Sequence, residues 1–195
     1  MPRKIKLENI KPTVNIFFIV GMSATGKTTT SKKLSKKLKY KLISMDNVIE
    51  KIAIKHPDKM KITKLYHPNK YLIEKKQVIK NIKDIIKEYK NVVIEGTIWD
   101  PYIIKQIAKK KTYKIIYVQP SSKEQYIKNI KKRVKTDIKN KTKTMAIVWK
   151  FLSRKNIDDK NILHDFIKKL VDYRFKHIKD DYNIFKDFTI NVFIN

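Results

Sequence analysis

The stretch GMSATGKT at residues 21–28 decides the fold of this 195-residue chain. It matches the pattern G-x-x-x-x-G-K-[ST], in which glycines let the backbone curl until successive N–H groups face an anion. The chain has only three glycines, and two of them lie in this motif. From such a composition we expect roughly 0.001 chance matches in the chain. The motif therefore predicts a phosphate-binding loop, or P-loop.

The segments on either side of the motif supply the structural context that a P-loop needs. The apolar run VNIFFIV at residues 14–20 is typical of a strand buried on both faces, and Thr28–Tyr40 is predicted as a helix. Lys27 is expected to reach the β- and γ-phosphates and Thr28 to give its hydroxyl to Mg²⁺, beside the positive end of that helix. The residues predicted to bind the nucleotide are Gly21, Met22, Ser23, Ala24, Thr25, Gly26, Lys27, Thr28 and Thr29.

Strand-like and helix-like segments alternate along the rest of the chain. This alternation predicts a three-layer α/β/α P-loop NTPase fold with a five-stranded parallel sheet and a helical lid. We expect one domain over residues 1–195, with a basic lead-in at 1–13. Further strands are predicted at residues 40–45, 91–94, 113–119 and 188–194. Further helices are predicted at residues 47–55, 71–89, 101–110, 145–152 and 161–178, with another capped by Ser121 or Ser122 and a loop at 56–69.

Two acids follow predicted strands, at the sheet edge where such folds bind ligands. Asp46, after the second strand, is a candidate magnesium contact or the base for an acceptor hydroxyl, although it also suits a helix N-cap. Glu95, after the third strand, is a candidate for orienting a metal-bound water or binding an acceptor hydroxyl; the alternative is an exposed acid in a turn. Gly96 beside it would let a substrate approach the backbone closely.

The polar segment at about residues 131–155 is predicted to form a lid. Arg133 and Arg154 are its arginines, and arginine stabilises the charge that phosphoryl transfer spreads over the γ-phosphate oxygens. Surface solvation is the alternative role for both, and for Arg174. Trp99, after the Glu95 loop, is a weaker candidate for holding a base or ring.

The composition limits the partners. The net charge is +29, but only four of the 47 basic residues are arginine, and the lysines are spread along the chain. An AT-rich genome also favours lysine codons, so nucleic acid stays open as a partner without being favoured. The chain has no cysteine, no secretory signal and no apolar run of the ~18–20 residues that span a bilayer. We expect a soluble cytoplasmic protein with no membrane partner.

The order of these motifs resembles that of the P-loop kinases of small molecules, the nucleotide and nucleoside kinase-like group. The chain has a Walker A motif after strand one, an acid after strand two, an acid–glycine pair after strand three and a basic segment after strand four. The resemblance implies a parallel core with the P-loop strand central, and ATP with Mg²⁺ as cofactors. It also implies that Asp46 acts as a base or metal contact and that lid arginines grip the phosphates.

Shorter stretches are similar to the zeta-toxin-like kinases, whose members phosphorylate a nucleotide-activated amino sugar. They are DN at 46–47, HP at 56–57, IEGT at 94–97 and HDFI at 164–167. The leading hypothesis is a Mg²⁺-dependent ATP phosphotransferase for a nucleoside, nucleotide or nucleotide-sugar acceptor. The alternatives are a polynucleotide 5′-hydroxyl kinase, an ATPase or switch, and a relative that binds nucleotide without turnover.

Overall fold

The five strands form one parallel sheet in a computed structural model that describes residues 6–55, 68–96, 101–139, 160–176 and 190–194. Each strand pairs in parallel with its neighbours, in the spatial order β2-β3-β1-β4-β5. The P-loop strand is therefore central, with a neighbour on each side. The strands are β1 (Ile16–Val20), β2 (Lys41–Ser44), β3 (Val92–Glu95), β4 (Tyr113–Gln119) and β5 (Ile190–Ile194).

The helices fall in the connections between strands, and a short 3₁₀ helix, Leu7–Asn9, precedes β1. The helices are α1 (Lys27–Leu38), α2 (Met45–Lys55), α3 (Pro68–Glu88), α4 (Pro101–Ala108), α5 (Lys123–Lys139) and α6 (Lys160–Lys176). Val48 of α2 is buried. The buried residues of α3 include Val78, Ile82 and Ile86, which are at helical spacing.

The central strand shows how the layers form. All five residues of β1 are buried, and alternate side chains point to opposite faces of the sheet. Ile16, Phe18 and Val20 pack in the cluster that includes α2, α3 and α4 side chains. Phe17 and Ile19 pack with Leu34 of α1 in a second cluster. An unbroken apolar run is therefore required here, because both faces of the strand are covered.

A third apolar cluster joins α5 and α6 to the P-loop. The buried side chains of Tyr126, Ile130 and Val134 from α5 meet Ile167 and Val171 from α6, and Met22 of the P-loop packs with them. The contact is extended by an ion pair of 2.8 Å between Lys123 and Asp172, both about half exposed. This pair of helices holds one side of the nucleotide-binding loop.

Several boundaries differ from the sequence prediction. α2 begins at Met45 instead of Asn47, so Asp46 is the second residue of the helix and not its cap. Pro68, predicted in a loop, is the first residue of α3. The N–H at this position of a helix has no intrahelical partner, so proline, which lacks it, is well suited there. Ser122 is the cap of α5, since its hydroxyl accepts a hydrogen bond from the Gln125 N–H.

The predicted lid region overlaps the end of α5. Its first residues, 131–139, lie in this helix, which continues through Lys139. The reason is the burial of Ile130 and Val134 against α6, a tertiary contact that the many lysines of this segment conceal. The rest of the predicted lid, from residue 140, and the predicted helix at 145–152 lie outside the described residues.

Candidate functional site

The P-loop leaves the sheet at a position where only glycine fits. Gly21 has φ = +143°, and a Cβ atom there would lie 2.2 Å from the carbonyl oxygen of Val118 in the neighbouring strand β4. Gly26, at φ = +94°, is the N-cap of α1. The two glycines therefore let the chain turn back sharply from β1 and start a helix at Lys27, as anion binding by a helix N-terminus requires.

Side chains within the loop stabilise its curled shape. The Thr25 hydroxyl is buried and donates to the Met22 carbonyl at 2.8 Å. The Lys27 ammonium donates to the same carbonyl at 2.6 Å, and Lys27 is only 8% exposed. The lysine therefore lies folded against the loop, within its concave side. Its charge is next to the backbone N–H groups that would meet phosphate.

Glu95 lies beside the P-loop at the end of β3. β1 and β3 are adjacent, and Ile19 pairs with Glu95 in their register. The Glu95 carboxylate is buried, and its Oε2 lies 3.5 Å from Oγ1 of Thr28. Two oxygen ligands of one octahedral Mg²⁺ lie about 3 Å apart, since each sits at ~2.1 Å from the metal. At this separation, Thr28 and Glu95 could hold a Mg²⁺ ion directly or through water bound to it.

Asp46 lies one strand further from the P-loop than Glu95. In the register of β2 with β3, Ser44 pairs with Glu95, so Asp46 follows two residues beyond the paired position. β2 is separated from β1 by β3, which places it roughly 10 Å away across the sheet at ~4.8 Å per strand. Asp46 is exposed at the start of α2.

Gly96 has a structural use. A Cβ atom at this residue would lie 2.7 Å from Cβ of Met45, the first residue of α2. The space that a side chain would occupy is therefore taken by α2, where the sequence analysis expected the approach of a substrate. Gly96 therefore lets the start of α2 pack closely against the end of β3.

A cleft of about 340 Å³ opens beside the P-loop, and α5 forms its second wall. Arg133 lines this cleft opposite Lys27 and Thr28, so the structure brings it to the site that the sequence proposed. Lys132 lines it as well, although sequence reasoning did not single it out. The full lining is Ala24, Gly26, Lys27, Thr28, Thr29, Asn129, Lys132, Arg133 and Thr136.

The residues of α5 that line the cleft show a helical signal, although sequence reasoning had singled out only Arg133 among them. Asn129, Lys132, Arg133 and Thr136 are spaced at i, i+3, i+4 and i+7, which places them along one face of α5. Its apolar stripe, Tyr126, Ile130 and Val134, packs against α6 and the P-loop. Once residues 131–139 are recognised as helix, a polar stripe beside an apolar one indicates a cleft-lining face.

The remaining candidates include two residues outside the described ranges, Arg154 and Trp99. Arg174 lies within α6. In the part of the chain that the structure describes, no group of three or more His, Asp or Glu side chains forms a metal site. Within those same ranges, no helix is long and apolar enough to cross a membrane.

Fold and site together define a P-loop protein with the architecture of the small-molecule kinases. Residues 16–154 match the AAA domain family (AAA_33), and the chain belongs to that family. No curated protein matches the chain. The predicted α/β P-loop fold and the resemblance to P-loop small-molecule kinases are confirmed at this level.

Solved structures share the fold at low sequence identity. Shikimate kinase from Bacteroides thetaiotaomicron is similar over 93% of this chain and 87% of its own, with 14% identity and a TM-score of 0.53. A gluconokinase from Sinorhizobium meliloti 1021 is similar over 61% of this chain, with 12% identity and a TM-score of 0.45. A sugar kinase from Janibacter sp. HTCC2649 is similar over 60%, with 9% identity and a TM-score of 0.46. The chain spans 65% and 66% of the length of these last two proteins, slightly under two thirds.

Proposed function

We propose that this protein is a Mg²⁺-dependent kinase that transfers the γ-phosphoryl group of ATP to a small acceptor. The observation that carries the proposal is the convergence of Lys27, Thr28 and Glu95 at the carboxyl ends of β1 and β3. Two cationic side chains of α5, Lys132 and Arg133, line the same cleft as Lys27 and Thr28. Phosphoryl transfer depends mainly on positioning and charge stabilisation, and this arrangement supplies both.

The nucleotide would lie with its phosphates over residues 21–29. The backbone N–H groups of the loop and of the first turn of α1 donate to phosphate oxygens, and the helix dipole adds positive potential. Lys27 exchanges the Met22 carbonyl for the β- and γ-phosphates, which are stronger acceptors because they are charged. Thr29, which lines the cleft one residue further along α1, contacts the phosphate nearer the base.

Thr28 and Glu95 would hold the magnesium ion. When bound, Mg²⁺ neutralises charge on the β- and γ-phosphates and helps to orient them. Thr28 contributes its hydroxyl and Glu95 its carboxylate, which is buried and fixed by the last pairing of β3 with β1. Asp46 remains a predicted metal contact, but its place on the far side of β3 favours a role as the base that accepts the acceptor proton.

Arg133 would stabilise the charge that develops on the transferred phosphoryl group. It lines the cleft opposite Lys27, with Lys132 beside it on α5. Arginine offers several donors in a planar fork that fits phosphate oxygens, whereas lysine acts as a single positive point. We retain Arg154 as a second phosphate-binding candidate.

The acceptor class follows from the charge and the fold. We propose a nucleoside, nucleotide or nucleotide sugar. The net charge of +29 favours the two anionic members of this class, the nucleotide and the nucleotide sugar. The fold is one that shikimate kinase also uses, so it can accommodate a small acceptor bearing hydroxyl groups. A cytoplasmic location, where ATP is abundant, is part of the same proposal.

The strongest alternative is a polynucleotide 5′-hydroxyl kinase. The supporting observation is Lys132, an exposed cation at the mouth of the cleft in a strongly basic protein. Nucleic-acid affinity that depends on such contacts falls steeply with salt, because bound phosphates release counterions. An ATPase or switch would hydrolyse ATP without labelling any acceptor.

The test is transfer of label from γ-labelled ATP in the presence of Mg²⁺. The acceptors are nucleosides, nucleotides, nucleotide sugars and 5′-hydroxyl ends of DNA and RNA. We expect a labelled small molecule, and no transfer by Lys27→Ala, whose folding is checked by thermal unfolding. Label on nucleic-acid ends alone would establish the alternative kinase. ATP hydrolysis without a labelled acceptor would indicate a switch, and normal turnover by Lys27→Ala would exclude the P-loop mechanism.

A further inference from the structure

We propose that α5 positions the P-loop for nucleotide, and that Tyr126 and Asn129 hold its backbone in the conformation that binds phosphate. This inference deepens the proposed function and rests on it. Three consecutive P-loop residues, 22–24, are attached to α5 by different contacts. They occupy the variable positions of the motif, so the motif itself specifies none of these contacts.

Tyr126 makes the most buried of these attachments. Its side chain is fully buried, and its hydroxyl donates a hydrogen bond of 2.8 Å to the carbonyl oxygen of Ser23. The ring is held from the opposite side by Phe175 of α6, with ring centroids 5.9 Å apart. A hydroxyl on a ring that packing holds in place is a directional donor. It fixes the carbonyl it contacts at little cost in side-chain entropy.

Asn129 makes the second attachment, one helical turn further along α5. Its amide nitrogen lies 3.3 Å from the carbonyl oxygen of Ala24 and donates to it. Gln125 donates from its own amide nitrogen to the Asn129 side-chain oxygen at 2.8 Å, which orients that amide. Ala24 has φ = +66°, a left-handed conformation that is unfavourable for a residue with a Cβ atom. A donor that holds its carbonyl therefore stabilises a strained residue.

Holding these two carbonyls also orients the N–H groups of the loop. In a planar trans peptide, the C=O of one residue and the N–H of the next point in opposite directions. Bonds from α5 to the carbonyls of Ser23 and Ala24 thus direct the N–H groups of Ala24 and Thr25 away from their donors. We infer that this is how the loop keeps its N–H groups available for phosphate before nucleotide arrives.

The same helix carries the opposite wall of the cleft. Lys132, Arg133 and Thr136 lie on α5 one to two turns beyond Asn129. Packing of α5 on α6 fixes its place through the apolar cluster and the Lys123–Asp172 ion pair. One helix, α5, therefore positions both the P-loop and the cations that line the cleft. A substitution at Tyr126 should alter nucleotide binding although Tyr126 itself does not contact the nucleotide.

The test compares Tyr126→Phe and Gln125→Ala with the unchanged protein. Tyr126→Phe keeps the buried ring and removes only its hydroxyl, and Gln125→Ala releases the Asn129 amide. Tyr173→Phe, which makes the same substitution at a residue of α6 that is 64% exposed, is the matched control. The measurements are hydrogen exchange over residues 21–30 without nucleotide, the Kd for MgATP by calorimetry, and the KM for ATP together with kcat.

We expect both variants to exchange faster over residues 21–30 while β1 and β4 keep their protection. The Kd and KM for ATP should rise about two- to tenfold in each, as the loss of one hydrogen bond predicts, with a smaller change in kcat. The control should match the unchanged protein. Unaltered exchange and unaltered Kd in Tyr126→Phe would overturn the inference, even if its melting temperature falls, because the hydroxyl would then serve only packing.

These measurements separate the inference from the proposed function. If the unchanged protein binds no ATP, the proposed function fails, and the claim that α5 prepares the loop for nucleotide fails with it. If the unchanged protein binds and transfers phosphate normally while both variants do so equally well, the inference alone fails. Exchange over residues 21–30 is measured without ATP, so it shows directly whether Tyr126 holds the loop.

Discussion

Glu95 shows how one residue acquires its role from its neighbours in space. In the sequence it is an acid before a glycine, equally suited to metal, acceptor or solvent. In the structure its buried carboxylate lies 3.5 Å from the Thr28 hydroxyl, in a strand adjacent to the P-loop strand. Asp46 is an exposed acid one strand further away. Removing the charge of each carboxylate is therefore expected to change a different kinetic property of the enzyme.

Glu95→Gln should weaken Mg²⁺ binding and so raise the Mg²⁺ concentration that turnover requires. The amide keeps the shape but loses the charge that attracts Mg²⁺, so the Mg²⁺ concentration for half-maximal activity should rise about tenfold, corresponding to about 1.4 kcal/mol. Asp46→Asn should lower kcat with little change in that Mg²⁺ requirement, since we place it on the acceptor side. Magnesium titrations of ATP turnover check both variants. The reverse pattern would assign the metal to Asp46.

At the scale of elements, the N-terminal segment is held to α1 by one side chain. The Lys37 ammonium donates to the carbonyls of Leu7 and Ile10 at 3.1 and 3.0 Å, and also to that of Glu8. Leu7 and Ile10 pack in the cluster behind β1. The Leu7 carbonyl also accepts from the Ile10 N–H within the 3₁₀ helix. Lys37 therefore adds a cap from another element to a turn that is closed by its own backbone.

Lys37→Met should loosen residues 6–12 without changing the nucleotide site. We expect a loss of about 1 kcal/mol in the free energy of unfolding, less than the ~1.5–3 kcal/mol of hydrogen bonds to charged groups because Lys37 is exposed. For a chain of this length that lowers the melting temperature by about 2–4 °C. Thermal unfolding and hydrogen exchange over residues 6–12 measure it, with Lys36→Met as the control. Equal behaviour of the two variants would show that the cap contributes nothing.

At the scale of the whole molecule, charge is the dominant feature. A net charge of +29 on 195 residues opposes a compact state by self-repulsion. Ion pairs among the described residues, such as Lys87–Asp84 and Lys123–Asp172, are largely exposed and offset little of it. The fold is stabilised chiefly by its three apolar clusters.

Sodium chloride should therefore stabilise this protein. Between ~0.01 M and ~1 M salt the Debye length falls from ~30 to ~3 Å, which screens the repulsion between lysines. We expect the melting temperature to rise steadily over this range by thermal unfolding. Lys27→Ala should show the same rise, because screening acts over the whole surface and does not depend on anion binding in the P-loop. A flat or falling curve would show that the charges are already compensated.

The sequence by itself determined the features that depend on neighbours along the chain. The P-loop motif, the unbroken apolar run of β1 and the start of α4 at Pro101 are local signals, and the structure agrees with each. Alternation of strands and helices predicted the parallel sheet for the same reason. The loop can be predicted as a phosphate site from residue spacing alone. Its two glycines set the local backbone conformation, and Lys27 contacts a carbonyl of the same loop.

Only the tertiary structure decided which distant residues meet. Strand order places Glu95 beside Thr28 and sets Asp46 apart, and order in a sheet is a non-local property that no window of sequence contains. Burial of Val134 against α6 turns a lysine-rich stretch into helix. It thereby brings Asn129, Lys132 and Arg133 to the P-loop. The physical reason is that apolar burial between elements outweighs local polarity, and that balance depends on contacts far apart in the chain.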